Sequence, residues 1–229
     1  KGGEWFRTIG TPASTGTKLL SVSGDVERPG IYEFPFGVTV AEVLEAAGAK
    51  DTQAVTTAGA AGACLAADEF DRRIAFEDVP TGGSIMVFAH RRDLFEVAHN
   101  FAHFFAHESC GFCTPCRVGT AVNARLMNKL ANDQGSPYDL DEMHRMHQLM
   151  QGASHCGLGN TATLALCDML TKFRPAFERR LHSPDYEPGF DLDAALSQAR
   201  RMTGRDDPGA HLSDNLGALA DDRSNEVRP

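Results

Sequence analysis

Cys110-Gly111-Phe112-Cys113-Thr114-Pro115-Cys116 is a C-x2-C-x2-C run, and a fourth cysteine, Cys156, follows after 39 intervening residues. A four-iron cube needs one thiolate at each iron corner, and a loop with two-residue gaps wraps three neighbouring corners. A distant cysteine then meets the fourth corner and ties two parts of the chain together. Gly111 permits close backbone approach and Pro115 stiffens the loop, while Gly157 and Gly159 give freedom beside Cys156. Structural zinc is the competing reading, but such sites usually present two separate C-x2-C knuckles. Here Cys113 belongs to both short gaps and Cys156 lacks a cysteine partner at that spacing. Buried or redox-active thiols are a third alternative. The pattern favours a [4Fe–4S] cluster on Cys110, Cys113, Cys116 and Cys156.

Around this run the hydrophobic period is helical. Leu94, Phe95, Ala98, Phe101, Ala102 and Phe105 recur at three- and four-residue steps, which predicts a helix from Asp93 with one face in a core. A second helix is predicted over residues 118–130, and a third is capped by Asp139 with Met143, Met146 and Met150 on one face. A fourth spans 161–181 and is kinked at Pro175. Short connections make these a helical bundle. Upstream, residues 19–26 alternate as a strand, Arg28-Pro29-Gly30 turns, and 30–34 return. Thr39 and Glu42 form a capping box before a helix that Gly48 ends, and residues 84–88 close a small α+β unit as its last strand. Residues 1–17 cannot close a core, 193–202 read as one further amphipathic helix, and 204–229 read as a mobile tail.

With 229 residues the chain is one large domain or two small ones, and 42% hydrophobic against 23% charged residues excludes wholesale disorder. Thirty-one acids against 22 Lys plus Arg, a net charge of −9, argue against nonspecific nucleic-acid binding. No uncharged apolar run approaches the roughly 18 residues of a membrane span. The start at Lys1-Gly2-Gly3 carries no signal core, so the chain reads as soluble and as a piece of a longer protein. Six cysteines are too few for a disulfide scaffold, and their clustering suits a reducing cytosol.

Other reactive side chains read more plainly. Cys64 and Cys167 lie among small or apolar neighbours and are expected to be buried thiols. His99, His103 and His107 share one helix face, a spacing that can serve a transition metal. With no carboxylate or cysteine placed to complete a site, they are expected to be surface or hydrogen-bonded histidines. His107 is placed to donate near the cluster, and His144 and His147 are expected on a solvated face. Arg117 is either a cation that raises the cluster potential or a member of a surface salt bridge. No Gly-rich phosphate loop appears, Gly59-Ala60-Ala61-Gly62 being too short, and no catalytic residue is assigned.

The run His107-Glu108-Ser109-Cys110-Gly111-Phe112-Cys113-Thr114-Pro115-Cys116-Arg117-Val118-Gly119, with Cys156-Gly157-Leu158-Gly159, resembles the flavoprotein subunit of respiratory complex I. The same run is similar to its relatives, the diaphorase subunit of NAD-reducing hydrogenases and the beta subunit of NAD-dependent formate dehydrogenases. Ser23-Gly24-Asp25-Val26-Glu27-Arg28-Pro29-Gly30-Ile31-Tyr32-Glu33 resembles that family's soluble-ligand-binding β-grasp domain. The resemblance covers residues 1 to about 203. It implies an α+β chain: a β-grasp domain over 18–90, then an all-α, four-helix iron–sulfur bundle over 91–183. Residues 1–17 would be the remnant of a preceding flavin/NADH domain and 184–229 a partly mobile C-terminal extension.

In that family FMN and NAD(H) bind the preceding domain, whose Gly-rich flavin motif has no counterpart here. What the resemblance implies for these residues is the relay of single electrons between FMN and other clusters. The implied partners are that flavin domain and other iron–sulfur subunits of a multi-subunit oxidoreductase, with neither nucleic acid nor a membrane span. The implied location is the cytoplasm, including the cytoplasmic side of a membrane-associated complex. Gly157-Leu158-Gly159-Asn160 and the 191–205 extension incline the reading to the soluble formate dehydrogenase or hydrogenase relatives. The other class is a non-enzymatic interaction module with structural zinc and a β-grasp domain that binds a partner or ligand.

Overall fold

In the computed structural model, which describes residues 1–182 and 192–205, a short helix α1 (Gly3–Phe6) precedes the alternating stretch that forms β1 (Thr17–Gly24). β2 (Gly30–Pro35) returns antiparallel, with Leu20 opposite Tyr32 and Val22 opposite Gly30. The predicted capping box opens α2 (Val40–Ala47): Glu42 N–H donates to Thr39 Oγ1 at 3.2 Å and Thr39 N–H donates to the Glu42 carboxylate at 2.8 Å. Gly48 ends that helix at φ 68°, a left-handed conformation that only glycine adopts cheaply. β3 (Thr52–Thr56), β4 (Cys64–Ala66) and β5 (Ser84–Ala89) complete a five-stranded sheet of order β2-β1-β5-β3-β4. β5 runs parallel to β1 and antiparallel to β3.

Strand alternation gives this sheet two apolar faces. On one, Leu20, Val22, Val55, Ile85 and Val87 pack with Val40, Val43 and Leu44 of α2. On the other, Ala54, Cys64 and Phe88 join a core built by helices. Those helices are α3 (Leu94–Glu108), α4 (Thr114–Ala131), α5 (Pro137–Ala153), α6 (Gly157–Thr161), α7 (Leu164–Lys172) and α8 (Arg174–Glu178). The six apolar residues predicted to line α3 are all buried. The fold is therefore α+β.

Four details differ from the sequence reading. α4 begins at Thr114, not Val118, because Pro115 sits in its first turn, where no amide donor is required. The cap of α5 is Ser136; Asp139 is its third residue, and its carboxylate accepts from Ser136 N–H at 2.7 Å. The predicted fourth helix, 161–181, is two pieces, α7 and α8, and its first residue, Thr161, instead ends the separate short helix α6. Thr163 and Phe173 leave helical geometry, and the chain restarts at Arg174 so that Pro175, which cannot continue the hydrogen-bond ladder, again falls in a first turn. His144 and His147 are half-buried, with His147 Nδ1 paired to Thr163 Oγ1 at 2.8 Å, and desolvation lowers the pKa of both.

One joint was not anticipated. Asp168 Oδ2 accepts from Cys64 N–H at 2.8 Å, and Lys172 Nζ donates to Cys64 O and to Glu69 Oε2, both at 2.6 Å. One turn apart on α7, the two side chains thus occupy the outer backbone groups of edge strand β4. Burial, foremost, raises the Asp168 pKa.

Residues 185–229 form a second unit, in which the predicted amphipathic helix appears as α9 (Leu192–Thr203). The extension at 183–191 and the tail from 206 onward lie outside the described residues. Among the described residues no helix is long and apolar enough to cross a membrane.

Candidate metal centre

α3 ends at Glu108, and Ser109 swings the chain into an extended conformation that starts the cysteine loop. Gly111 takes φ 75°, which a side chain would resist. Cys113 is the N-cap of α4 and Cys156 the N-cap of α6, so two of the four thiols stand at helix N-termini, where backbone N–H groups favour an anion. Cys116 lies one turn into α4 and is buried; Cys113 is half-buried, and Cys110 and Cys156 are exposed. Ser109 Oγ lies 3.3 Å from Cys116 Sγ. Arg117, beside the run as the sequence places it, donates to Gly111 O and, at 3.3 Å, to Thr114 Oγ1. Its charge stays at the loop, clamping the turn, and no salt bridge among the described residues takes it up.

The segment carrying Cys156 is pressed against this loop. The His155 backbone N–H, chiefly, and the Cys116 N–H and Ser154 hydroxyl beside it, lower the Cys113 pKa. The Phe112 ring meets the His155 ring edge-on at 5.5 Å. A Cβ on Gly159 would lie 2.4 Å from Ser154 Cβ and 3.1 Å from Cys116 Cβ, so only glycine allows α6 to seat here. Phe105, Met150 and Ala162 form a small buried cluster near this site, with half-buried Leu158 and, from the loop between β3 and β4, Ala60 and Ala61 packed against it. Gly119 makes room for Met150, whose Sδ would stand 2.3 Å from an added Cβ.

The donor set suits a thiolate-ligated cluster: four cysteines on two abutting segments, an apolar floor, and amides aimed at sulfur. Among the described residues no three His, Cys, Asp or Glu side chains converge as a single-ion site. Burial pushes the pKa of both Cys64 and Cys167 up to about 12, in keeping with their expected role as inert core thiols. His107 does not reach the loop; its Nδ1 pairs with Glu108 Oε1 at 3.2 Å.

Residues 96–180 match the NADH-ubiquinone oxidoreductase-F iron-sulfur binding region, and 19–59 match an SLBB domain. Residues 96–180 are thus similar to the iron–sulfur binding region of oxidoreductase-F subunits. Relatives similar to it include the NAD-reducing hydrogenase HoxS subunit alpha of Cupriavidus necator, 41% identical over 86% of this chain and 33% of that one. The F subunit of Escherichia coli NADH-quinone oxidoreductase is 32% identical over 80% of this chain and 44% of that one. A crystal structure of an NAD+-reducing [NiFe]-hydrogenase in the H2-reduced state superposes with a TM-score of 0.76 at 46% identity, over 91% of this chain and 37% of the other. The chain thus spans less than half the length of these relatives.

Proposed function

We propose that this chain is the electron-relay portion of an NAD(H)-linked flavo-iron–sulfur oxidoreductase subunit, with Cys110, Cys113, Cys116 and Cys156 each ligating one iron of a [4Fe–4S] cluster. The observation that carries this is the seating of α6 on the start of α4 through Gly159, which brings the Cys156 segment against the C-x2-C-x2-C loop. The cluster, when bound, supplies one-electron chemistry between a two-electron flavin and single-electron carriers. The protein's part is to hold four thiolates still, to exclude water beneath them with Phe105, Met150 and Leu158, and to set local charge with the helix N-termini and Arg117. Higher identity to the hydrogenase subunit, 41% against 32%, favours a soluble hydrogenase-type assembly over complex I.

On this reading residues 18–90 are a β-grasp domain, 91–183 the iron–sulfur bundle, 184–229 an extension, and 1–17 the end of a preceding flavin domain that binds FMN and NAD(H). Partners are that domain and other iron–sulfur subunits, in the cytoplasm. The test is iron and acid-labile sulfide content of anaerobically purified protein, with electron paramagnetic resonance after dithionite. About four of each per chain, and a reduced-cluster signal lost in Cys156→Ala, are expected. About one zinc and no sulfide would overturn the proposal in favour of a structural zinc module.

A further inference from the structure

Midway along α3, away from the cysteine loop, His99 and His103 aim at the same atom. His99 Nε2–H donates to Asn128 Oδ1 at 2.7 Å, and His103 Nε2–H donates to that same oxygen at 2.8 Å. The two rings are 4.7 Å apart, edge to face. Residues four apart on a helix present their side chains one above the other, and Asn128, reaching across from α4, closes the third side. The His99 ring is held in place by stacking on buried Phe95, 6.0 Å between centroids and 9° from parallel. His103 and Asn128 are exposed, so one side of the cluster faces solvent.

We propose that His99, His103 and Asn128 form a binding site for one divalent first-row transition-metal ion of the Ni²⁺, Cu²⁺ or Zn²⁺ class. Imidazole nitrogens are the donors these ions prefer, and the amide oxygen is a third. The two Nε2 atoms converge on Asn128 Oδ1; an ion would replace that hydrogen-bonded contact, with the exposed His103 and Asn128 side chains rotating to set the donors at about 2.0–2.1 Å. Each neutral imidazole then carries its proton on Nδ1 in place of Nε2, exchanged through solvent, so no net proton is released. Water fills the remaining positions on the open side. Among the described residues neither a carboxylate nor a thiol joins the three donors, which sets this site apart from the four-cysteine centre and makes it independent of how that centre is read.

The test is calorimetric titration of Ni²⁺ alone into chelator-washed, anaerobic full-length chain. About one Ni²⁺ per chain is expected to bind at this site. His103→Ala should weaken it at least about 10-fold, and the His99→Ala/His103→Ala double variant should abolish it. Asn128→Asp, which replaces the amide oxygen with an anionic one at the same place, should tighten binding. That gain does not depend on the alanine variants keeping their fold. Absence of binding, or Ni²⁺ affinity unchanged in the double variant, overturns the proposal.

Discussion

Gly159→Ala is the perturbation that bears most directly on the site. The added methyl would lie 2.4 Å from Ser154 Cβ and 3.1 Å from Cys116 Cβ. Carbon atoms rest at about 3.5–4.0 Å, so the first approach falls short by more than an ångström. Neither neighbour can rotate away, because a Cβ moves only with its backbone; α6 must lift off α4 and the end of α5. Overpacking of this kind costs about 1–3 kcal/mol. The helical preference of alanine over glycine returns at most about 1 kcal/mol, leaving a net loss of up to about 2 kcal/mol at full return. The displacement also draws Cys156 away from the loop holding the other three cysteines, so iron and sulfide per chain should fall well below the wild-type content. Urea unfolding and iron analysis on the same preparation read both effects. Gly157→Ala is the control, since nothing lies within 4 Å of a Cβ at that position. Wild-type stability and full iron content in Gly159→Ala would refute the reasoning.

Three further outcomes follow from the geometry. The Asp25 side chain, only 5% exposed, accepts from Arg92 Nε at 2.9 Å and Nη2 at 2.8 Å, from Ala89 N–H at 3.0 Å, and from Arg91. These groups, Arg92 foremost, hold its pKa well below the usual carboxylate range. The folded-state value is depressed, so the contribution is complete above the unfolded value of about 3.9 and is lost as pH falls through the folded value. Asp25→Asn should therefore cost about 2 kcal/mol at neutral pH, and the gap in urea midpoint should narrow below about pH 4; an equal gap at pH 3 would count against the ion-pair account. Cys64 and Cys167, buried and with thiols pushed up to about 12, should resist iodoacetamide at pH 8 in the folded chain and label on unfolding, as peptide mapping by mass spectrometry would show. Thr39→Ala removes one half of the α2 capping box and should lower stability by about 1 kcal/mol in the same urea assay, whereas Thr39→Ser should not.

The cysteine spacing, the α3 stripe and the Thr39-Glu42-Gly48 caps were legible in the sequence because each is a local device, carried by residues within one or two turns of one another. Helix ends were less so. A helix from 161 to 181 follows from apolar periodicity, yet one proline and two residues outside helical geometry divide it, and periodicity does not register a break that keeps phase. His147 looked solvated because its partner, Thr163, lies on the next segment and is not a helical neighbour. The tie from Asp168 and Lys172 to the backbone of Cys64 spans more than a hundred residues. Its one local signal is an Asp-x3-Lys pair on a mostly apolar helix. Asn128, which gathers two histidines from another helix, carries no such signal.

That tie to Cys64 bears on how the molecule comes apart. Ala54, Cys64 and Phe88 of the sheet are buried in the same core as Leu166, Met169 and Leu170 of α7, and α7 also holds the backbone of β4. Opening α7 strips the sheet of its lining and its edge at once, and opening β3–β5 empties the floor on which α7 rests. Sheet and helices therefore make one cooperative unit of unfolding. Amide exchange at Cys64 becomes a gauge of the helices: its N–H, shielded by Asp168, should exchange at the rate of the α7 interior and not at the faster rate usual for a sheet edge.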